Sequence, residues 1–157
     1  MLALPPACIR AGIALYCNQD SLSWNRRRRK TMPIFYRIDK ARRLVLSTSS
    51  GAFTLADALS HQEKLSADPD FDPSFSQIAD LTNSTQFDIS PDEIRQLARR
   101  NIFSPQSRRA LIVSNDLAFG LARMFEILRE NLGESGIRVF RSLDEALNWA
   151  LTPIKPE

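Results

Sequence analysis

The sequence predicts an α/β domain with a mixed β-sheet, which opens with an antiparallel hairpin, continues with parallel strands and is accompanied by about four helices. The chain has 157 residues, of which 43% are apolar and 25% charged, as in average globular domains. Two short apolar segments, 35–38 and 43–47, come before any helical pattern. Strand and helix patterns then alternate, which favours parallel strands joined by helices. We expect one domain over residues 32–152.

The first part of this domain contains the hairpin and one helix. Strands are predicted over residues 35–38 and 43–47, and the four residues between them, 39–42, suit a hairpin turn. Gly51 is expected to break the chain. Thr54 then caps a helix, with the acidic Asp57 three residues later.

The middle part contains two strands and a strongly signalled helix. Residues 76–81 form a short apolar strand, and the polar segment 82–88 is predicted as a loop. Ser90, followed by proline and by Glu93, predicts a helix start with a capping box. Residues 109–114 are nearly all apolar, which is typical of a strand covered on both faces.

The last part repeats the alternation. Asp116 is predicted to cap a helix over 117–131, and a strand follows at 137–140. Ser142 and Glu145 predict a second capping box at the start of the final helix. Residues 153–157 form a tail.

Residues 1–31 differ from the rest because they carry a net charge of +5, against −2 for residues 32–157. No helical or strand period is visible, so we predict a disordered basic leader. Its apolar stretch of seven residues (11–17) lacks the flanks of a secretory signal. Its basic cluster has two interpretations, a solvated tail or a site for nucleic acid or another anionic surface; the cluster is Arg26, Arg27, Arg28, Arg29 and Lys30. A third interpretation concerns the whole leader: Met32 is the true start of the protein, and residues 1–31 lie upstream of it.

Cysteine usage indicates a reducing compartment. Both cysteines, Cys8 and Cys17, lie in the leader, so the domain has no disulfide framework and no cysteine-rich metal site. We therefore expect a cytoplasmic protein without membrane attachment.

The residues for catalysis or for a cofactor are missing from the sequence. His61 is the single histidine, which excludes sites with several histidine ligands, and we predict that it lies on the exposed face of its helix. No G-x-S-x-G elbow and no glycine-rich phosphate loop occur. Asp68, Asp70 and Asp72 resemble the start of a calcium loop but lack its glycine and glutamate. We expect no enzyme activity, metal or cofactor.

The helix over residues 117–128 is apolar around most of its circumference, more than one buried face requires. Three explanations stay open: a partner subunit in a weak homodimer, a small apolar ligand, or neighbouring elements of the same chain. The candidate interface is Phe119, Arg123, Met124 and Ile127. Arg123 and Glu126 are expected to pair across the seam of a dimer.

One local pattern resembles a known family. Asp80-Leu81 ends a strand, and Asp88-Ile89-Ser90-Pro91 follows at the start of a helix. In element order and in this stretch, residues 32–152 resemble the STAS domain and, more narrowly, the bacterial SpoIIAA-like proteins grouped with STAS/SEC14-type domains. The resemblance implies a candidate interaction and switch loop with Asp80, Thr82, Ser84, Asp88 and Ser90. Because Ile89 stands where that family has its phosphorylated serine, the phospho-switch is not retained.

Two functions are expected. The first is a bacterial, non-enzymatic regulatory domain that binds a protein partner through the switch loop and the apolar helix. The alternative is a binding domain for a small apolar, lipid-like ligand. A pocket lined by Phe119, Met124 and Phe125 would favour the ligand, and a filled core with Phe119 or Ile127 exposed would favour the protein partner.

Overall fold

The computed structural model describes residues 34–152, which form one five-stranded sheet and four helices. The strands are β1 (Phe35–Asp39), β2 (Leu44–Thr54), β3 (Ser76–Asp88), β4 (Arg109–Ile112) and β5 (Ile137–Phe140), and the helices are α1 (Leu55–Ala67), α2 (Pro91–Ala98), α3 (Asp116–Glu130) and α4 (Leu143–Leu151). The strands lie side by side in chain order, β1 antiparallel to β2 and all others parallel. The predicted fold class is confirmed. The basic leader, both cysteines and the tail lie outside the described residues.

The two faces of the sheet carry different helices because successive strand residues point to opposite sides. On one face Leu44, Ile78 and Ala110 pack against Ala146 and Ala150 of α4. On the other face Val45 packs against Leu65 of α1, and α2 and α3 follow alongside. One face thus has a single helix and the other has three.

The helix starts follow the predicted caps at α1 and α2. The Thr54 side chain accepts a hydrogen bond from the Asp57 backbone, and Ser90 and Glu93 form both bonds of the capping box. None of the helices in residues 34–152 is long and apolar enough to cross a membrane.

The predicted cap of α3 is wrong, and the start of α4 lacks the predicted capping box. Asn115 caps α3, since its Oδ1 accepts from the Ala118 backbone at 2.8 Å, while Asp116 is already helical and pairs with Arg141. Ser142 is the N-cap residue of α4, as predicted, but its side chain makes no cap bond. Its ψ of 132° differs by about 30° from the 162–164° of the three capped helix starts.

β2 and β3 extend farther toward their carboxyl ends than the sequence predicts. Residues 82–88 are not a loop but the second half of β3, and Gly51 does not end a strand but lies within β2. Gly51 has a φ of 74° beside a shift in pairing register, a backbone conformation that favours glycine. The polar segment was misassigned because its backbone is satisfied by pairing with residues 50–54, which side-chain polarity does not reveal.

Candidate functional site

The predicted switch residues do not form one loop. Asp80 and Thr82 lie within β3, where Asp80 Oδ1 accepts from the Thr82 backbone at 2.9 Å and from its hydroxyl at 2.6 Å. Ser84 is buried and donates to Ser49 Oγ at 3.0 Å. Asp88 is eight residues beyond Asp80, which along a strand is about 26 Å. These side chains therefore do not converge on one partner site.

Ser90 has a structural role. Its hydroxyl accepts from the Glu93 backbone at 3.3 Å, and its backbone donates to the Glu93 carboxylate at 2.7 Å. The Ser90 backbone and hydroxyl both donate to the Glu93 carboxylate, and these two hydrogen bonds lower the pKa of Glu93. Ile89, in the position of the family's phosphorylated serine, is buried and packs against Ile94 and Leu97.

The candidate interface on α3 is divided between different neighbours. Phe119 is half-buried, and the Arg141 guanidinium lies 4.6 Å from the centre of its ring. Met124 is half-buried against the cluster of α1 and α2. Ile127 is 47% exposed and Leu117 65% exposed. Phe119 and Ile127 thus differ in exposure, because Arg141 of the same chain lies over Phe119.

Arg123 and Glu126 are also not arranged as expected. Arg123 Nη1 donates to Glu126 Oε1 of the same helix, and Glu126 is only 3% exposed. Because its partner is one helical turn away, the buried carboxylate does not reach a second copy of the chain. Self-association itself stays a prediction.

A pocket of about 130 Å³ with a largely apolar lining lies between the sheet and the three helices on its second face. Its floor includes Ser47, Ala79 and Leu111, three residues that lie side by side on β2, β3 and β4. The helices contribute mainly apolar side chains, among them Leu97 of α2 and Phe125 of α3. Phe125 was expected in such a pocket, but Phe119 and Met124 are not among its lining residues.

The predicted surface position of His61 is wrong. His61 is 8% exposed and lines the pocket, and its Nε2 lies 3.1 Å from Ser47 Oγ. The buried face of α1 runs through Ala58, His61 and Leu65, at helical spacing, so the histidine falls on it. Burial, together with the charge of Lys64, lowers the pKa of His61 to about 4.

A chain of hydrogen bonds joins Gln77, Ser47 and His61. Gln77 Nε2 donates to Ser47 Oγ at 3.0 Å, and Ser47 Oγ lies 3.1 Å from His61 Nε2. The other ring nitrogen, Nδ1, has no hydrogen-bond partner within residues 34–152, and neither does Gln62 Oε1. Both residues line the pocket.

Arg109 is the charged residue of the pocket. It is 5% exposed, and its guanidinium lies 5.2 Å from the ring centre of Phe103 and 5.8 Å from that of Phe125. Its Nη2 donates to Glu134 at 3.0 Å. Burial lowers the pKa of Arg109 to about 10, with Glu134 opposing and Arg129 adding to the shift, so the group stays charged at neutral pH.

The Glu134 carboxylate serves two arginines. Arg129 Nε donates to it at 2.9 Å, and Arg129 also bonds the Ala98 carbonyl at the end of α2. Two buried guanidinium groups thus share one carboxylate. Arg109, Arg129 and Glu134 were not predicted as site residues. The sequence did contain a signal for Arg109, because a strand that is covered on both faces and begins with an arginine must bury that arginine.

No group of three or more metal-ligating side chains occurs within the part of the chain that the structure describes. The polar atoms of the pocket are instead hydrogen-bonding groups on apolar walls. Such a pocket binds a small organic molecule by shape and by a few directed hydrogen bonds.

The chain matches no family model and no curated protein. It is similar to a solved structure described as an uncharacterized protein from the DUF3478 family with a SpoIIAA-like fold, from Shewanella loihica PV-4. The TM-score is 0.50 at 17% identity, and the match covers 75% of this chain and 94% of that one. The SpoIIAA-like fold is thereby confirmed.

Proposed function

We propose that this domain is a non-enzymatic binding module for a small, mostly apolar molecule held in the pocket beneath α1, α2 and α3. The pocket itself is the observation that carries the proposal. An engineered apolar cavity of about 150 Å³ in another protein binds benzene, so a volume of about 130 Å³ suits one ring or a short chain. This volume is too small for a long acyl chain, so the lipid-like ligands that fit are limited to small ones.

The polar groups of the pocket support binding rather than catalysis. Ser47 and His61 have the spacing of a nucleophile and its base, but His61 Nδ1 has no carboxylate partner within residues 34–152. A pKa of about 4 also makes His61 a weak base at neutral pH. We expect no esterase activity that depends on Ser47, which a Ser47→Ala variant tests with an activated ester.

Filling the pocket tests the proposal. Ala79→Leu adds three carbon atoms at the floor, whereas the matched control Ala56→Leu adds them on the exposed side of α1. Titration with benzyl alcohol, followed by amide shifts in NMR spectra, should show binding to the wild type and to Ala56→Leu. Ala79→Leu should bind at least about tenfold more weakly. Equal binding by all three proteins, or binding by none, would contradict the proposal.

A regulatory domain that binds a protein partner is the second candidate. The observation that favours it is the exposure of three large apolar side chains on α3 and just beyond it, Leu117 at 65%, Ile127 at 47% and Leu132 at 60%. In sedimentation at tens of micromolar, wild type should associate weakly and Ile127→Lys should remain monomeric. If both are folded monomers, the exposed side chains do not mediate self-association.

A further inference from the structure

Most polar groups of the pocket lie toward one end. Gln77 and Arg109 are paired neighbours at the beginnings of β3 and β4, Gln77 donates to Ser47 Oγ, and Ser47 Oγ is in turn hydrogen-bonded to His61 Nε2. Ser49, two residues farther along β2, accepts a hydrogen bond from Ser84. The opposite end, where β2 and β3 finish, is lined by apolar side chains such as Phe87. A pocket divided in this way fits a ligand that is polar at one end and apolar at the other.

The polar end has an excess of positive charge. Arg109 and Arg129 are both buried and share the single carboxylate of Glu134. The buried Glu126 does not offset this charge, because it pairs with Arg123. A buried charge without a full counter-charge is costly, so an anion at this end would be favoured over a neutral group.

The donors of Arg109 are positioned for such an anion. A guanidinium has five N–H donors, and within residues 34–152 the side chain of Arg109 makes one hydrogen bond, to Glu134. The rings of Phe103 and Phe125 lie 5.2 and 5.8 Å from this guanidinium. The unpartnered Nδ1 of His61 lies at the same end. The fork of arginine donors matches carboxylate and phosphate groups, and the smaller, planar carboxylate leaves more of the limited volume for an apolar part.

We propose that the ligand of this pocket is a small apolar carboxylic acid, bound as its anion with the carboxylate against Arg109 and a single ring or short chain toward Phe87. The inference rests on the proposed function and adds the charge and orientation of the ligand. The volume of about 130 Å³ leaves room for one ring beside the carboxylate.

Three ring compounds of similar size separate the charge of the ligand from its shape: benzoate, benzamide and benzylamine. Calorimetric titration of the wild-type full chain at pH 7 should show benzoate binding at least about tenfold more tightly than benzamide, as hydrogen bonds to a charged partner predict. Benzylamine should bind most weakly. If benzamide or benzylamine binds as tightly as benzoate, the pocket function stands and the anion inference is overturned. If none of the three binds, both are overturned.

A pair of arginine variants locates the carboxylate. Arg109→Gln removes the charge in the pocket, and Arg108→Gln removes the neighbouring charge, which packs on Trp149 at the other face of the sheet. We expect Arg109→Gln to lose the preference for benzoate over benzamide and Arg108→Gln to keep it. Circular dichroism checks that both variants are folded. If Arg109→Gln does not fold, the comparison of benzoate, benzamide and benzylamine on the wild type tests the inference by itself. A folded Arg109→Gln protein that keeps the preference would overturn the inference.

Discussion

Lowering the pH from 7 to 5 should destabilise this protein through one side chain. The chain has a single histidine, so a change in stability in this range can be assigned to His61. Its imidazole is 8% exposed, and burial lowers its pKa to about 4 in the folded protein. In the unfolded chain the ordinary pKa of about 6.5 applies.

The sign follows from proton binding. Between pH 6.5 and 4 the unfolded chain binds a proton at His61 and the folded chain does not, so the free energy of unfolding falls as the pH falls. The stability is fully present above pH 6.5 and is lost progressively below it. With these two pKa values, the linkage relation predicts a loss of about 2 kcal/mol between pH 7 and pH 5.

Other groups near His61 or with shifted pKa values do not titrate in this window. The ring of Tyr36 lies 5.6 Å from the imidazole, and its pKa is raised from 10. The carboxylates of Asp72 and Glu93 have lowered pKa values, so they become protonated at lower pH.

The assay is urea unfolding at pH 7, 6 and 5 for the wild type and for His61→Gln. Glutamine can keep a hydrogen bond to Ser47 but does not titrate. The wild type should lose about 2 kcal/mol over this range, and the variant should change by less than about 0.5 kcal/mol. A flat wild-type profile, or the same slope in both proteins, would refute the assignment of a buried neutral histidine.

Substitutions of Glu134 and of Ser90 test the supports of the site. Glu134→Gln leaves Arg109 and Arg129 buried without their carboxylate, so it should lower the free energy of unfolding in urea by about 3–5 kcal/mol. The control Glu130→Gln changes an exposed carboxylate and should stay within about 0.5 kcal/mol of the wild type. Equal stability of the two variants would refute the buried cluster. Ser90→Ala should cost about 1 kcal/mol because it removes the cap of α2, whereas Ser90→Asp should retain most of the stability. An unchanged thermal midpoint for Ser90→Ala would contradict the capping role.

Local signals in the sequence determined much of the fold. The capping box at Ser90 and Glu93 acts within four residues, so it predicts the start of α2 without knowledge of the rest of the chain. The four-residue turn after Asp39 determines the hairpin in the same way. The alternation of strands and helices then restricts the sheet to few topologies, and the observed order is among them.

Contacts between distant residues decided the rest. The second half of β3 is a strand because it pairs with residues 50–54, and the polarity of residues 82–88 does not show that pairing. Asn115, not Asp116, caps α3 because of a backbone conformation one residue earlier than expected. Phe119 is covered by Arg141, which comes 22 residues later in the chain.

The pocket also depends on contacts between residues that are distant in the chain. The chain alone shows an arginine at the start of a buried strand, but only the packed structure brings Arg109 to Glu134, 25 residues later, and leaves space beside Phe125. Likewise, in the sequence His61 is one polar residue among several on α1. Only the folded structure places it against Ser47 of β2, which also accepts a hydrogen bond from Gln77 of β3. Helical periodicity tells which face is buried, whereas the shape of the space beneath that face depends on how the side chains of six elements fit together.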